Sequence, residues 1–200
     1  MEFDLEGKDR EHAYRLLGGL VTPRPIAWVT TQDREGRVNA APFSFFNVLG
    51  TCPPILGFAP GNKSADLPKD TARNIRATGE FVVNLVDEAV AEAMNLTAAE
   101  LEYGRSEIDH AGLTVAESAV VAPPRIAEAP VALECREWST LEFGRNRLVI
   151  GRILRIQARE GIVDPATLRV NDEAYLPIGR MRAPAQYCRT RDRFDMERPD

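Results

Sequence analysis

Residues 37–60 read RVNAAPFSFFNVLGTCPPILGFAP, and in this segment a predicted strand is interrupted. An apolar strand begins at Val38, but Pro42 removes a backbone donor from it, and the short polar side chains of Ser44 and Asn47 follow. A strand inside a sheet would carry β-branched residues at these positions. The pattern therefore predicts a strand end whose backbone groups and short polar side chains are left for a ligand.

Three phenylalanines surround this break in the strand. Phe43, Phe45 and Phe46 could offer a flat apolar surface beside polar groups, as a large heteroaromatic ring requires. The same residues could equally fill the core, with Ser44 and Asn47 forming an Asx-type turn. Both interpretations are compatible with the residues of this segment taken alone.

Strands are predicted on both sides of this segment. The run PRPIAWVTT is rich in β-branched and aromatic residues, and a turn at residues 33–36 would fold residues 38–46 back onto it as an antiparallel hairpin. Further strands are predicted at ILGFAP, at EFVVNLV, at APVALECREWST and at RLVIGRILRIQARE, which is apolar on both faces. Six or seven mostly antiparallel strands predict a mainly β fold, a barrel or sandwich with flanking helices.

Helices are expected beside these strands. Residues 8–17 predict a helix that ends at Gly18-Gly19, and residues 87–96 predict another, with its acidic residues early. Residues 97–128 contain few periodic apolar positions and a Pro-Pro pair, so they predict a long excursion over the surface.

One further helix bears on function. It is predicted over residues 71–78, with Asp70 as its N-cap and Gly79 as its stop. The N–H groups of its first turn have no partner inside the helix, and an anion placed there gains from the macrodipole. The alternative is an ordinary capped helix with solvated lysines. The side chains that could complete a phosphate site at this point are Lys63, Ser64, Lys69 and Thr71.

The composition indicates one soluble globular domain over residues 1–200. The net charge of -5 and the pI near 5.3 disfavour nucleic acid and anionic membranes as partners. No apolar run of about 18 residues and no signal-peptide pattern occurs, so a cytoplasmic location is expected. The widely spaced Cys52, Cys135 and Cys188 predict reduced thiols, and with only two histidines no metal site is expected.

Several longer motifs follow one another in a fixed order. They are LVTPRPIAWVTTQDREGRVNAAPFSFFNVLGTCPPILGF, KDTARNIRATGEFVVNL, GLTVAESAVVAPPRIAEAPVALECR and YCRTRDRFDMERP. In this order they resemble the flavin reductase-like, FMN-binding split-barrel family, over about residues 15–199. The resemblance implies a Greek-key split β-barrel, a homodimer, and FMN held noncovalently near the subunit interface.

The resemblance also implies a flavin site at the matching positions. It puts the isoalloxazine ring against residues 44–47 and the phosphate at Lys69 and Thr71, where the residue chemistry already favours these groups. The implied cofactor-binding residues are Arg24, Thr30, Thr31, Ser44, Phe45, Phe46, Asn47, Lys63, Lys69, Asp70, Thr71 and Asn74.

The activity implied by the resemblance is hydride transfer from NAD(P)H to FMN, often on behalf of a partner monooxygenase. No G-x-G-x-x-G follows a strand, so the nicotinamide would stack on the flavin rather than bind in the Rossmann manner. No catalytic residue is expected, because the cofactor performs the chemistry. A flavoredoxin-like electron carrier and a barrel with another ligand stay open as alternatives. Arg180 and Tyr187 could line the pocket, but contacts at this loop stay open, because relatives often have a glycine pair where this chain has Ala183-Pro184. His110 could be a proton donor or could simply be exposed by the long loop in which it lies.

Overall fold

A computed structural model describes residues 1–64, 67–102, 105–144 and 146–199. Residues 65 and 66 of the loop predicted before Asp70, and residues 103 and 104 of the predicted excursion, lie outside the described residues. The strands are β1 (Ala27–Gln32), β2 (Val38–Phe43), β3 (Phe46–Thr51), β4 (Pro54–Phe58), β5 (Glu80–Leu85), β6 (Val115–Ala116), β7 (Arg125–Ile126), β8 (Val131–Phe143), β9 (Asn146–Ala158), β10 (Ile178–Arg180) and β11 (Tyr187–Arg189). The α-helices are α1 (Ala13–Leu20), α2 (Asp70–Thr78), α3 (Ala91–Leu96) and α4 (Glu107–His110).

Seven of these strands form one antiparallel sheet in the order β2-β1-β5-β8-β9-β4-β3. β2 and β3 follow each other in the chain, yet they lie at opposite ends of this order. Only Ser44 and Phe45 connect them, and no ladder pairs the two strands in the described part of the chain. The predicted mainly β split barrel is therefore confirmed, and its split lies at the segment 44–45.

The sheet curls because its strands share one core. Phe43 of β2 packs 5.3 Å, between ring centroids, from Phe58 of β4, although the two strands lie near opposite edges of the sheet. Phe58 in turn lies 5.5 Å from Phe81 of β5. The buried core residues come from all seven strands, and they include Val29, Phe43, Phe46, Phe58, Phe81, Leu133 and Val149.

Three predictions about local structure were wrong in their details. The first helix does not end at Gly18-Gly19 but continues to Leu20. Its last carbonyls are satisfied by a cation, because Arg24 Nη1 donates to the carbonyl oxygens of Gly18, at 2.6 Å, and Val21, at 2.7 Å. The strand predicted over residues 38–46 is two strands, β2 and β3. The helix predicted over residues 87–96 is a 3₁₀ turn at Glu88–Val90 followed by α3.

The excursion over residues 97–128 contains more structure than its sequence predicts, namely α4 and the β6–β7 ladder. Buried polar side chains of the barrel hold it in place. Glu134 of β8 is fully buried, and its carboxylate accepts hydrogen bonds from the backbone N–H groups of Ala119 and Val120. Asn84 of β5 accepts from the N–H of Ile126 at 2.9 Å. These bonds satisfy backbone groups that a covering loop would otherwise bury unpaired.

The three cysteines are free thiols in different environments. Cys135 is fully buried in the core, and this burial raises the pKa of its thiol far above the ordinary value. Cys52 is exposed. Across the described residues, no helix is both long enough and apolar enough to cross a membrane.

Candidate functional site

The N-terminus of α2 is built differently from the sequence prediction. The N-cap is Lys69, in an extended conformation, and Asp70 is already the first helical residue. The carboxylate of Asp70 lies 2.6 Å from Lys63 Nζ and 2.9 Å from Arg73 Nη2, so these cations occupy it instead of the helix N–H groups. No side chain caps the helix. The assignment of Asp70 as N-cap was therefore wrong, and the first turn remains able to donate to an external acceptor.

Lys69 is an unfavourable residue for this position in the absence of a ligand. Helix N-termini carry a partial positive charge, and the preferred N-cap residues have a side-chain oxygen that accepts a hydrogen bond. The Lys69 ammonium lies 5.7 Å from the centroid of the Phe43 ring, and none of the salt bridges within the described ranges involves it. Two positive features, the helix end and the ammonium, thus meet where the one acidic residue of the first turn, Asp70, is already paired with Lys63 and Arg73. An anionic ligand would neutralise both.

Thr71 contributes a buried hydroxyl to the same place. Its Oγ1 accepts a hydrogen bond of 3.0 Å from Asn39 Nδ2, which leaves the hydroxyl hydrogen to be donated. Thr71, Lys63 and Lys69 line a cavity of about 70 Å³ beside Pro42 of β2. The predicted phosphate residues are thus brought together next to the strand break.

Glu107 lines the same cavity, although no pattern in the sequence marks it. It begins α4, is buried, and accepts a hydrogen bond of 3.2 Å from the N–H of Ala40 in β2. Burial raises the pKa of its carboxyl above the ordinary value of 4.5, and the nearby charge of Asp70 acts in the same direction. The N–H of Ala40 and the charge of Lys63 oppose this shift only in part. The folded protein therefore holds the proton of Glu107 more strongly than the unfolded chain does.

The change Glu107→Gln should stabilise the protein at neutral pH. A raised pKa means that the folded state loses stability as the pH rises above 4.5, where the unfolded state releases its proton more readily. Glutamine keeps an oxygen for the N–H of Ala40 and carries no charge. The melting temperature of the variant should exceed that of the wild type at pH 7 to 8, by an amount that shrinks as the pH falls through the raised pKa towards 4.5 and no longer changes below it. Glu160→Gln, at an exposed residue, is the control, and a difference that is constant with pH would contradict this explanation.

A second group of predicted residues surrounds the corner between β2 and β3. Arg24 Nε lies 3.3 Å from Ser44 Oγ, and the Arg24 guanidinium carbon lies 5.6 Å from the centroid of the Phe45 ring. Tyr14 of α1 packs edge-on against Phe45, with 6.2 Å between centroids. Phe45 is 43% exposed, whereas Phe43 and Phe46 are in the core. The core interpretation therefore holds for two of the three phenylalanines, and Phe45 alone of them presents a ring at the surface.

Arg24 holds this corner in place from inside the chain. Its side chain is buried, and besides Ser44 and the α1 carbonyls it donates to the carbonyl oxygen of Met181 at 2.9 Å. All three guanidinium nitrogens are thus engaged within the protein. The geometry is that of a residue that positions Ser44 and Phe45.

The remaining predicted residues differ in their access to a ligand. Thr30 and Thr31 are fully buried, and Thr30 donates to the carbonyl of Pro124 at 2.6 Å. Asn74 is buried and donates to Thr31 Oγ1 at 3.1 Å. Asn47 is exposed, with its side-chain oxygen 2.8 Å from the N–H of Val48. Thr31 and Asn74 thus join β1 to α2, whereas Thr30 is bonded to Pro124 and Asn84 instead. Asn47 lies at the surface with Phe45.

Comparison with known proteins identifies the family of this chain. The family model described as "Flavin reductase like domain" matches residues 19–179. An uncharacterised protein of Deinococcus radiodurans is 41% identical over 201 residues, covering 98% of this chain and 88% of that protein.

Two solved structures are similar over nearly the whole chain. The 2-nitrobenzoate 2-nitroreductase NbaA of Pseudomonas fluorescens has a TM-score of 0.90 and 38% identity, covering 100% of this chain and 96% of its own. Component B of nitrilotriacetate monooxygenase from Bacillus cereus has a TM-score of 0.92 and 33% identity, covering 98% of each chain. With a family model over most of its length and relatives above 30% identity, this chain belongs to the flavin reductase-like family.

Proposed function

We propose that this protein is an NAD(P)H-dependent flavin reductase that binds FMN. The observation that carries the proposal is the N-terminus of α2, where Lys69 occupies the N-cap without a carboxylate partner and no side chain caps the first turn. A phosphate monoester supplies the missing anion, and FMN ends in such a group. The bound flavin would supply the two-electron chemistry, so the chain itself needs to bind, orient and shield.

The residues divide this work by their positions. Lys69, the hydroxyl of Thr71 and the first-turn N–H groups hold the phosphate, and Lys63 neutralises Asp70 beside it. The edge formed by Ser44, Phe45 and Asn47 contacts the isoalloxazine ring. Arg24 holds Ser44 and Phe45 in place. The buried Thr31 and Asn74 hold α2 against β1, and Thr30 binds the loop at Pro124.

An anaerobic titration tests this function. The purified protein should be yellow, or turn yellow with added FMN, and NADH or NADPH should bleach the absorbance near about 450 nm at a catalytic rate. Bleaching only by a chemical or protein reductant would favour the flavoredoxin-like carrier instead. Protein that takes up no flavin would contradict both functions.

The acceptor of the reduced flavin is proposed to be a partner monooxygenase. The similar Bacillus cereus protein is named as component B of a monooxygenase, and this supports a two-component arrangement. The similar Pseudomonas fluorescens protein is named as a nitroreductase, so a small nitroaromatic acceptor is the second candidate. Because the sequence predicts a cytoplasmic protein, we propose that the reaction takes place there.

A homodimer is proposed from an apolar surface that crosses three strands. Gly57 of β4 has no side chain, and Leu49 of β3 and Leu148 of β9 lie over it, within 2.7 and 3.3 Å of where a Cβ would be. Leu148 pairs across the ladder with Leu141 of β8. We call Leu49, Leu141 and Leu148 the apolar face; Leu49 is 52% and Leu141 43% exposed. A second copy of the chain would remove this surface from water.

A further inference from the structure

A large cleft lies between α1 and the turn that joins β10 to β11. Its volume is about 810 Å³, within the range typical of ligand sites. Arg15 of α1, Arg24, Arg180 of β10 and Arg182 in the turn line it, and no acidic residue does so among those described. Backbone hydrogen bonds of 2.8 and 2.9 Å between Arg24 and Arg180 join the two walls.

The four arginine side chains differ in how many contacts they make within the protein. Arg24 donates within the chain, as described above. Arg180 Nη2 donates to the carbonyl of Pro184 at 2.7 Å, and its guanidinium carbon lies 4.6 Å from the Tyr187 ring centroid. Arg15 and Arg182 are exposed, and neither side chain makes a hydrogen bond or an ion pair with another described residue.

Such a cluster is unusual in a chain of net charge -5. Elsewhere arginines lie beside carboxylates, as Arg76 does with Glu142 and Arg189 with Glu88. Like charges around one cleft repel each other, and the repulsion is relieved when an anion enters. Guanidinium groups pair with phosphates and carboxylates through two parallel hydrogen bonds, so either anion suits the cleft, and its position decides between them.

The position of the cleft relative to the proposed flavin site indicates which phosphate compound would bind there. Arg24 lines the cleft and also lies against Phe45, and Tyr14 lines it and packs on the same ring. The cleft therefore opens beside the edge proposed for the isoalloxazine ring. The phosphate of FMN is already assigned to the N-terminus of α2. A second phosphate-bearing molecule that must reach the ring is the nicotinamide dinucleotide.

We propose that this cleft binds the diphosphate arm of NAD(P)H, and that Arg15 and Arg182 pair with its phosphates. The inference rests on the proposed reductase function, because it names the subsite for the electron donor of that reaction. On this proposal both arginines bind the hydride donor, and neither of them binds FMN.

Two hydride donors test the assignment. The variants Arg15→Gln and Arg182→Gln should each raise the KM for NADPH and NADH about tenfold, with kcat and the Kd for FMN unchanged. With 1-benzyl-1,4-dihydronicotinamide, which has no phosphate, the variants should react at the wild-type rate. Arg169→Gln, which removes an equal charge at an exposed site away from the cleft, should match the wild type with every donor.

Equilibrium binding separates this inference from the function on which it rests. NADP⁺ binding to the FMN-loaded protein, followed by calorimetry, should weaken about tenfold in each variant and depend less on salt. If the wild type oxidises no donor but the variants still lose NADP⁺ binding, the function fails and the cleft assignment stands. Unchanged KM and NADP⁺ affinity would overturn the assignment. Loss of FMN affinity, or an equal loss with the phosphate-free donor, would overturn it as well.

Discussion

Replacement of Lys69 by methionine is expected to weaken FMN binding by about 10- to 100-fold and to leave riboflavin binding unchanged. The ammonium and the first turn of α2 act on the phosphate alone, and riboflavin lacks this group. Methionine is unbranched and keeps most of the apolar length of the lysine side chain, so the change removes the ammonium beside the Phe43 ring with little change in packing. The difference between the two flavins then reports the phosphate contact directly.

The same variant should not lose stability without flavin. A lysine at the N-cap opposes the helix macrodipole, so the melting temperature of the flavin-free Lys69→Met protein should equal or exceed that of the wild type. Residues retained for binding often cost stability in this way. A residue with a purely structural role would show the opposite combination, a lower melting temperature and unchanged affinity.

Fluorescence titration of FMN and riboflavin measures both affinities. Lys8→Met is the matched control, because it removes the same charge from an exposed lysine near the N-terminus. Equal weakening of FMN and riboflavin in Lys69→Met would indicate a distorted ring site. Unchanged FMN affinity would refute the phosphate assignment.

The sequence predicts those structural elements whose conformation is determined by neighbouring residues. The turn at residues 33–36 does fold β2 onto β1, with Val38 opposite Gln32 and Phe43 opposite Ala27. Gly79 does end α2, because its φ of 72° lies in the left-handed region that glycine adopts without strain. In both cases a few neighbouring residues decide the conformation, and the strand pattern then predicts the mainly β fold.

The features that the sequence did not reveal depend on contacts between distant residues. Phe43 and Phe46 are buried because the sheet curls until β2 approaches β4, and no local pattern distinguishes them from Phe45. Asp70 loses the role of N-cap because Lys63, seven residues earlier, binds its carboxylate. Glu107 reaches the site only through its bond with Ala40, 67 residues away in the chain.

The same distinction between local and distant contacts explains why the sequence predicts the anion site at α2 but not the arginine cleft. The motif at residues 69–71 predicts an anion site from three adjacent residues, and the structure assembles those residues at one helix end. The arginine cleft draws its charges from α1 and from the turn after β10, which lie more than 150 residues apart in the sequence. A sequence with no broad basic region can thus still hold a local concentration of positive charge.

The change Leu141→Glu is expected to convert a dimer into a folded monomer. Leu141 is 43% exposed in the single chain, so a glutamate there stays hydrated and the monomer should keep its melting profile. In a two-fold dimer each substitution occurs twice, and burying these charges without partners should weaken association by at least about 100-fold. Sedimentation velocity at micromolar protein measures the change.

Leu168→Glu, at another exposed leucine outside the apolar face, should remain dimeric. A dimer that survives Leu141→Glu must use another surface, whereas a wild type that is monomeric would remove the reason for the apolar face.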